Sequence, residues 1–278
     1  MSFEIKYKDG LGRIGILETQ SGVIETPCLF PVINPIRQTI PPNDLKRTGA
    51  SAVITNAFLI HSNEDARHKA LKHGVHDLIG WKGPVMTDSG AFQLMQYGDI
   101  EITNAGIIEF QSVIGTDIGL ILDIPVAKGS REDFEKAVLE TIKRARQFEG
   151  LEKSEKTLWV GPIQGGPHID LVNDSARALG TLTFDLHALG SVVPLLEEYS
   201  FPKVVEMILA AKKELPINRP LHLFGAGHPM FFSLSVLIGC DLFDSAAYAL
   251  FARKERYLTS HGTYLLENLE YLVPSSSM

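Results

Sequence analysis

The stretch Pro84-Val85-Met86-Thr87-Asp88-Ser89-Gly90 is a short apolar run that ends in a hydroxyl, a carboxylate and a glycine. A run this short suits a strand buried on both faces rather than a helix. The same pattern recurs along the chain. Ala52-Val53-Ile54 precedes Thr55-Asn56, Ile118-Gly119-Leu120-Ile121-Leu122 precedes Asp123, and Leu158-Trp159-Val160-Gly161 leads to Gln164-Gly165-Gly166. Leu186-His187-Ala188-Leu189 ends in Gly190-Ser191, Leu221-His222-Leu223-Phe224 in Gly225-Ala226-Gly227, and Leu242-Phe243 in Asp244-Ser245. Helix-period segments lie between these runs, so the chain reads as α/β with a parallel sheet. A doubly wound open sheet gives the same alternation. The polar strand ends favour an eight-stranded (β/α) barrel, because barrel enzymes assemble their sites from the C-terminal ends of the strands.

Outward from these units, residues 1–40 read as antiparallel strands packed on the barrel. Phe3, Ile5 and Tyr7 alternate with polar residues, Asp9-Gly10 and Ser21-Gly22 supply turns, and Val23-Ile24 leads into the Pro27 to Pro31 segment. The clearest helix runs from about Arg131 to Phe148, with Phe134, Ala137, Val138, Thr141, Ile142 and Ala145 on one stripe. Ser130 and Asp133 supply a capping box at its start. Val204, Val205, Ile208 and Leu209 form a second stripe, and Phe231, Leu234, Ser235 and Leu237 a third. No repeat or linker divides the 278 residues, a length that one barrel domain accommodates.

With 45% hydrophobic and 21% charged residues, the composition excludes a disordered or fibrous chain. A net charge of −7 excludes a general polycation, so any nucleic-acid contact must be local. Cys28 and Cys240 are too few for a disulfide framework or an all-cysteine zinc site. The first residues lack the apolar core of a signal peptide, and no run approaches the roughly 18 apolar residues of a membrane span. A cytoplasmic protein with no membrane partner is the expectation.

The residues fit for chemistry sit at the strand ends. Asp88, Asp123 and Asp244 each follow an apolar run, while Asp241 stands at the start of the last one. Any one of them also reads as a helix cap or loop acceptor. Three at equivalent strand ends can divide the work of nucleophile and proton donor. Gln164 brings an amide donor and acceptor, and the glycines after it let a flat ligand approach the backbone. The nine histidines show no metal-ligand spacing, and His222 and His228 flank a glycine turn where one suits a structural role and the other a cap. Gly225-Ala226-Gly227 lacks the third glycine of a dinucleotide fingerprint. Arg253, Lys254 and Arg256 follow Asp244 closely, where phosphates beside a target nucleotide need neutralising. Lys203, Lys212 and Lys213 read as ordinary surface.

Several linked segments together resemble the tRNA-guanine transglycosylase family in its archaeal branch. They are Val85-Met86-Thr87-Asp88-Ser89-Gly90-Ala91-Phe92-Gln93, Leu122-Asp123, Ile163-Gln164-Gly165-Gly166, Leu189-Gly190-Ser191-Val192-Val193-Pro194 and Gly239-Cys240-Asp241-Leu242-Phe243-Asp244-Ser245-Ala246-Ala247-Tyr248. They stand in the family's order over almost the whole chain. The resemblance implies a TIM barrel that exchanges a guanine in the tRNA D-loop for 7-cyano-7-deazaguanine, the first step towards archaeosine. Asp244 would then be the nucleophile at ribose C1′, and Asp88 the general acid/base. Asp123 would accept from the purine N1–H and 2-amino groups. Gln164 would address O6, with backbone N–H groups of Gly190, Ser191 and Val192 on the same edge, and Ser89, Phe92 and Gly165 completing the base site. Arg253, Lys254 and Arg256 would contact RNA.

One departure is plain. Where the family carries a Pro-Cys-Ser-Cys zinc segment, this sequence reads Val273-Pro274-Ser275-Ser276-Ser277-Met278. No cofactor is therefore expected in this chain, and a separate subunit is expected to carry the zinc and the C-terminal RNA-binding domains. The alternatives are a non-catalytic tRNA-binding partner and a relative that exchanges bases in DNA.

Overall fold

The structure, a computed structural model, describes residues 3–91 and 102–267; Phe92 and Ser275 to Ser277 lie outside them. The chain opens with an antiparallel sheet of β1 (Phe3–Asp9), β2 (Gly12–Thr19) and β3 (Gly22–Thr26), turned where the sequence predicts. Gly10 takes the left-handed conformation its tight turn requires, at φ 57. Alternation buries Leu17 and Ile24 completely. They pack with Ile118, Leu158, Leu186 and Leu242, the first residues of four barrel strands, and so plug the barrel's N-terminal mouth.

Eight parallel strands form the barrel: β4 (Cys28–Pro31), β5 (Val53–Asn56), β6 (Val85–Asp88), β7 (Ile118–Leu120), β8 (Leu158–Ile163), β9 (Leu186–Leu189), β10 (Leu221–Leu223) and β11 (Leu242–Ser245). β4 pairs with β11, and a parallel bridge between Val32 and Ile54 joins it to β5, closing the ring. This corrects one expectation. Residues 28–31 belong to the barrel rather than to the antiparallel region, because their hydrogen-bonding partner lies some 210 residues away, beyond the reach of local pattern.

The helices pack outside the ring. Arg131–Glu149 has the predicted capping box, with Ser130 Oγ accepting from Asp133 N and Asp133 Oδ2 from Ser130 N at 2.7 Å. Its apolar stripe is buried from Phe134 to Phe148. Two other stripes are narrower than the sequence suggests. In Phe201–Glu214, Val204, Met207 and Ile208 are buried but Leu209 is exposed. In Pro229–Leu237, Phe231 and Ser235 are buried while Leu234 and Leu237 face outward. Helical period identifies a face, not what covers it. Lys212 is half-buried rather than a plain surface residue. His228 caps the helix Pro229–Leu237, its Nδ1 accepting from Met230 N at 3.2 Å.

The lower end is fastened by charge. Arg13 on β2 makes two hydrogen bonds to Asp241, Nε to Oδ1 at 2.7 Å and Nη2 to Oδ2 at 2.8 Å, with both side chains buried. Asp241 Oδ2 also accepts from Leu221 N. This aspartate is therefore structural and sits at the opposite end from the strand-end carboxylates. No helix among the described residues is long and apolar enough to cross a membrane.

Candidate active site

A cavity of about 470 Å³ opens at the C-terminal face of the barrel, and every barrel strand or the loop after it contributes to its wall. Val32, Asn56, Asp88, Leu120, Gln164, Gly190, Phe224 and Asp244 follow one another around it in strand sequence, with Asp123 and Ser191 beside them. The volume is in the usual range for a small-molecule site. Asp88, Asp123, Gln164, Gly190, Ser191 and Asp244, far apart in sequence, thus meet in one place.

Asp88 ends β6 in register with Asn56 on β5, whose Nδ2 donates to Asp88 Oδ2 at 3.0 Å. The neighbouring Asn56 Oδ1 caps the next helix by accepting from Leu59 N. Asp88 keeps part of its surface open to the cavity. Burial, then the charge of Asp123 and more weakly that of Asp244, push its carboxyl up to about 7, against the pull of the Gly90 and Ser89 N–H groups. Burial also raises Asp123 to about 6, while hydrogen bonding to Gln164 and the charge of Arg144 hold it back.

Gln164 is clamped at both ends. Its Nε2 donates to Asp123 Oδ2 at 2.5 Å, and its Oε1 accepts from Ser191 Oγ at 2.7 Å. Its backbone N–H is fixed by Ser175 Oγ. Glycine is needed beneath it, since a Cβ at Gly190 would lie 2.5 Å from Gln164 Nε2. The Gly190 N–H donates to Ile163 O at 3.0 Å, and the residue lines the cavity. Ser89 and Val192 are buried and, like Gly165, do not line the cavity. Gly165 instead lets residues 171 and 172 approach to within contact of its own backbone.

Asp244 differs from the other two carboxylates. Its Oδ1 accepts from both Gly225 N at 2.9 Å and His222 Nε2 at 2.8 Å. Its Oδ2 has no hydrogen bond among the described residues. One oxygen is held and the other is left for chemistry at the cavity.

Sequence reading missed Asn56, His222 and Phe224 as site residues. Asn56 resembles a helix cap, which it also is, and His222 is hidden between two leucines. The signal for His222 is parity: it pairs with Leu242, two residues before Asp244, so the three side chains share the barrel-facing side. Of the three expected RNA contacts, Arg253 lines a smaller cavity of about 210 Å³ with Arg37, next to the main one through Val32 and Asn34. Lys254 and Arg256 are exposed and line none of the described cavities. A further apolar cavity of about 370 Å³ shares Asp244, Val193 and Gly225 with the main one and is walled by Tyr199, Phe201 and Phe251.

No three His, Cys, Asp or Glu side chains among the described residues cluster as a metal site. Cys240 is buried and its thiol pushed up by desolvation, and Cys28 lies against Ser51 Oγ at 3.3 Å. Neither offers a thiolate to the zinc that the family resemblance implies, so the described residues do not fit that metal.

Relatives share this chain's text at high identity. A tRNA-guanine(15) transglycosylase of Methanothermobacter thermautotrophicus is 51% identical over 277 residues, covering 99% of this chain and 42% of the relative. Those of Methanosarcina mazei and Pyrococcus furiosus are 49% and 47% identical over 272 residues each. They cover 97% and 98% of this chain, and 55% and 46% of the relatives. The chain spans about half the length of the curated relatives it matches. Residues 8–276, which include every strand of the barrel and all three carboxylates of its cavity, match the family described as queuine tRNA-ribosyltransferase, and the chain belongs to that family.

Proposed function

We propose that this chain carries the catalytic barrel of a tRNA base exchanger that removes guanine from the D-loop and installs 7-cyano-7-deazaguanine. The observation that carries the reading is the division among three carboxylates in one cavity. Asp88 is tuned to about 7, Asp123 is buried beside an amide, and Asp244 has one oxygen held and one free. Substitution at an anomeric carbon builds positive charge that a carboxylate stabilises and then captures. Asp244 Oδ2 attacks C1′, the C1′–N9 bond breaks with its electron pair going to guanine, and Asp88 supplies the proton. The incoming base then loses its N9 proton to Asp88, attacks C1′, and returns the electron pair to Asp244. Two displacements retain configuration.

Asp123 and Gln164 read the polar edge of the base, and Phe224 offers its ring as a wall. The target nucleotide leaves the RNA stack to reach this depth, as other base-modifying enzymes require. A net charge of −7 is poorly matched to tRNA. A second chain supplying RNA-binding domains accounts for that mismatch.

The test is incorporation of labelled guanine into tRNA and into DNA, with this chain alone and with the C-terminal half of a relative added. Exchange is expected on tRNA only, rising at least tenfold on addition, with no stoichiometric zinc in the purified chain by elemental analysis. Binding of tRNA without exchange under any arm defeats the enzymatic reading, and undiminished exchange by the isolated chain defeats the need for a partner. Within the site, Asp123→Ala is expected to weaken binding of free 7-cyano-7-deazaguanine by about 1–3 kcal/mol, the cost of leaving buried donors without an acceptor. Calorimetric titration of the base measures it.

A further inference from the structure

His222 is fully buried, lies on an inner strand, and is not needed by the reaction as drawn. Its ring sits between Phe30, at 5.8 Å, and Phe224, at 4.9 Å. Nε2 stands 2.8 Å from Asp244 Oδ1. Nδ1 is buried with no hydrogen-bond partner among the described residues. A lone pair on Nε2 would oppose the lone pairs of the carboxylate at that distance, so the proton belongs on Nε2, and Nδ1 faces apolar surroundings without one.

We propose that His222 is a positioning residue which, as an Nε2–H donor beside the Gly225 N–H, locks Asp244 Oδ1 and sets how readily the covalent ribosyl–aspartate bond is given up. The inference rests on Asp244 being the nucleophile. Two donors on one oxygen stop the carboxylate from turning and keep Oδ2 directed at the cavity. They also act on the energetics. When the Oδ2–C1′ bond forms, Oδ1 becomes the carbonyl oxygen of an ester and loses most of its charge. When that bond breaks, the electron pair returns to the carboxylate, and both donors receive it. Hydrogen bonds to an ionised acceptor are about twice as strong as those to a neutral one. The pair of donors therefore favours the released carboxylate over the ester, and makes Asp244 a good leaving group for the second displacement.

The ratio of covalent adduct to non-covalent complex is a thermodynamic readout that a packing role would not move. The 278-residue chain is mixed with transcribed tRNA at a fixed guanine concentration, brought to equilibrium and quenched in denaturant, and the protein–RNA adduct is counted. In His222→Phe, which keeps a ring and loses the donor, the adduct ratio is expected to rise about tenfold, in line with loss of one hydrogen bond to a charged group. Exchange should slow by at least that factor, with KM for tRNA within about twofold of the parent. His222→Gln, whose amide can still donate, should return the ratio towards the parent's. A slower exchange with an unchanged adduct ratio overturns the inference while leaving Asp244 as nucleophile. A parent chain that forms no adduct overturns both. Should the variants fail to fold, nitrogen-15 NMR of the histidine-labelled parent at pH 8 decides instead. The Nε2–H tautomer is expected, and the Nδ1–H tautomer rules out the donor role.

Discussion

Asp244→Asn is expected to lower base exchange by at least about a thousandfold and to eliminate the covalent RNA adduct. Removing the nucleophile of a covalent mechanism costs that much or more. The substitution conserves shape, and its amide oxygen can still accept from Gly225 N and His222 Nε2. It replaces the free Oδ2 with an amide nitrogen that does not attack carbon. Because this carboxylate meets ribose rather than base, affinity for free 7-cyano-7-deazaguanine should stay within about twofold of the parent. A denaturing gel for the adduct and calorimetry for the base measure the two quantities independently. Equal loss of base affinity in Asp244→Asn and Asp123→Ala would mean that the roles of these aspartates are drawn wrongly.

Asp88 should dominate the pH dependence. A general acid must be protonated to serve the departing guanine, and its carboxyl is pushed up to about 7. Adduct formation in a single turnover should therefore be flat below that pH and fall about tenfold per unit above it. Asp88→Asn should lose roughly a hundred- to ten-thousandfold in rate and lose the break in the profile. Stability supplies a second measurement with its own sign. A carboxyl whose native pKa lies above its unfolded value binds protons more tightly when folded, so its effect on stability turns unfavourable as pH rises from about 4 through about 7. Asp88→Asn removes that liability. The variant should match the parent near pH 4 and exceed it at pH 8 by roughly 2–4 kcal/mol in denaturant unfolding, following the size of the shift. A variant less stable than the parent at pH 8 would show that the carboxylate is better solvated than its surroundings indicate.

Seven of the eight barrel strands were legible because each is a short apolar run with an abrupt polar end, and that contrast survives without an alignment. The eighth, Cys28–Pro31, was not, because what makes it a barrel strand is a neighbour at Leu242–Ser245. The same split runs through the cavity. Asp88, Asp123, Gln164 and Asp244 stood out as polar residues where apolar text stops. Asn56 and His222 did not, since one has an ordinary capping role and the other lies within a strand. Gly190 has a second property that local pattern does not carry. Its N–H donates to Ile163 O, and its missing side chain leaves room beneath Gln164. Outward-facing Leu209, Leu234 and Leu237 show the limit of helical period, which carries no information about the surface opposite.

The place of β4 bears on how the molecule is made. The strand leaves the ribosome some 210 residues before β11, one of its two neighbours. Until Leu242 to Ser245 emerge, the growing sheet is an open arc with two unpaired edges, each able to recruit a strand from another nascent chain. The Arg13–Asp241 pair has the same timing, because both charges are buried only when segments 228 residues apart are brought together. Sealing the ring, burying that pair and bringing Asp244 beside the other two carboxylates are thus a single late event. A nascent chain released before that point would carry Asp88 and Asp123 without Asp244, so the nucleophile is added only as the barrel becomes able to close.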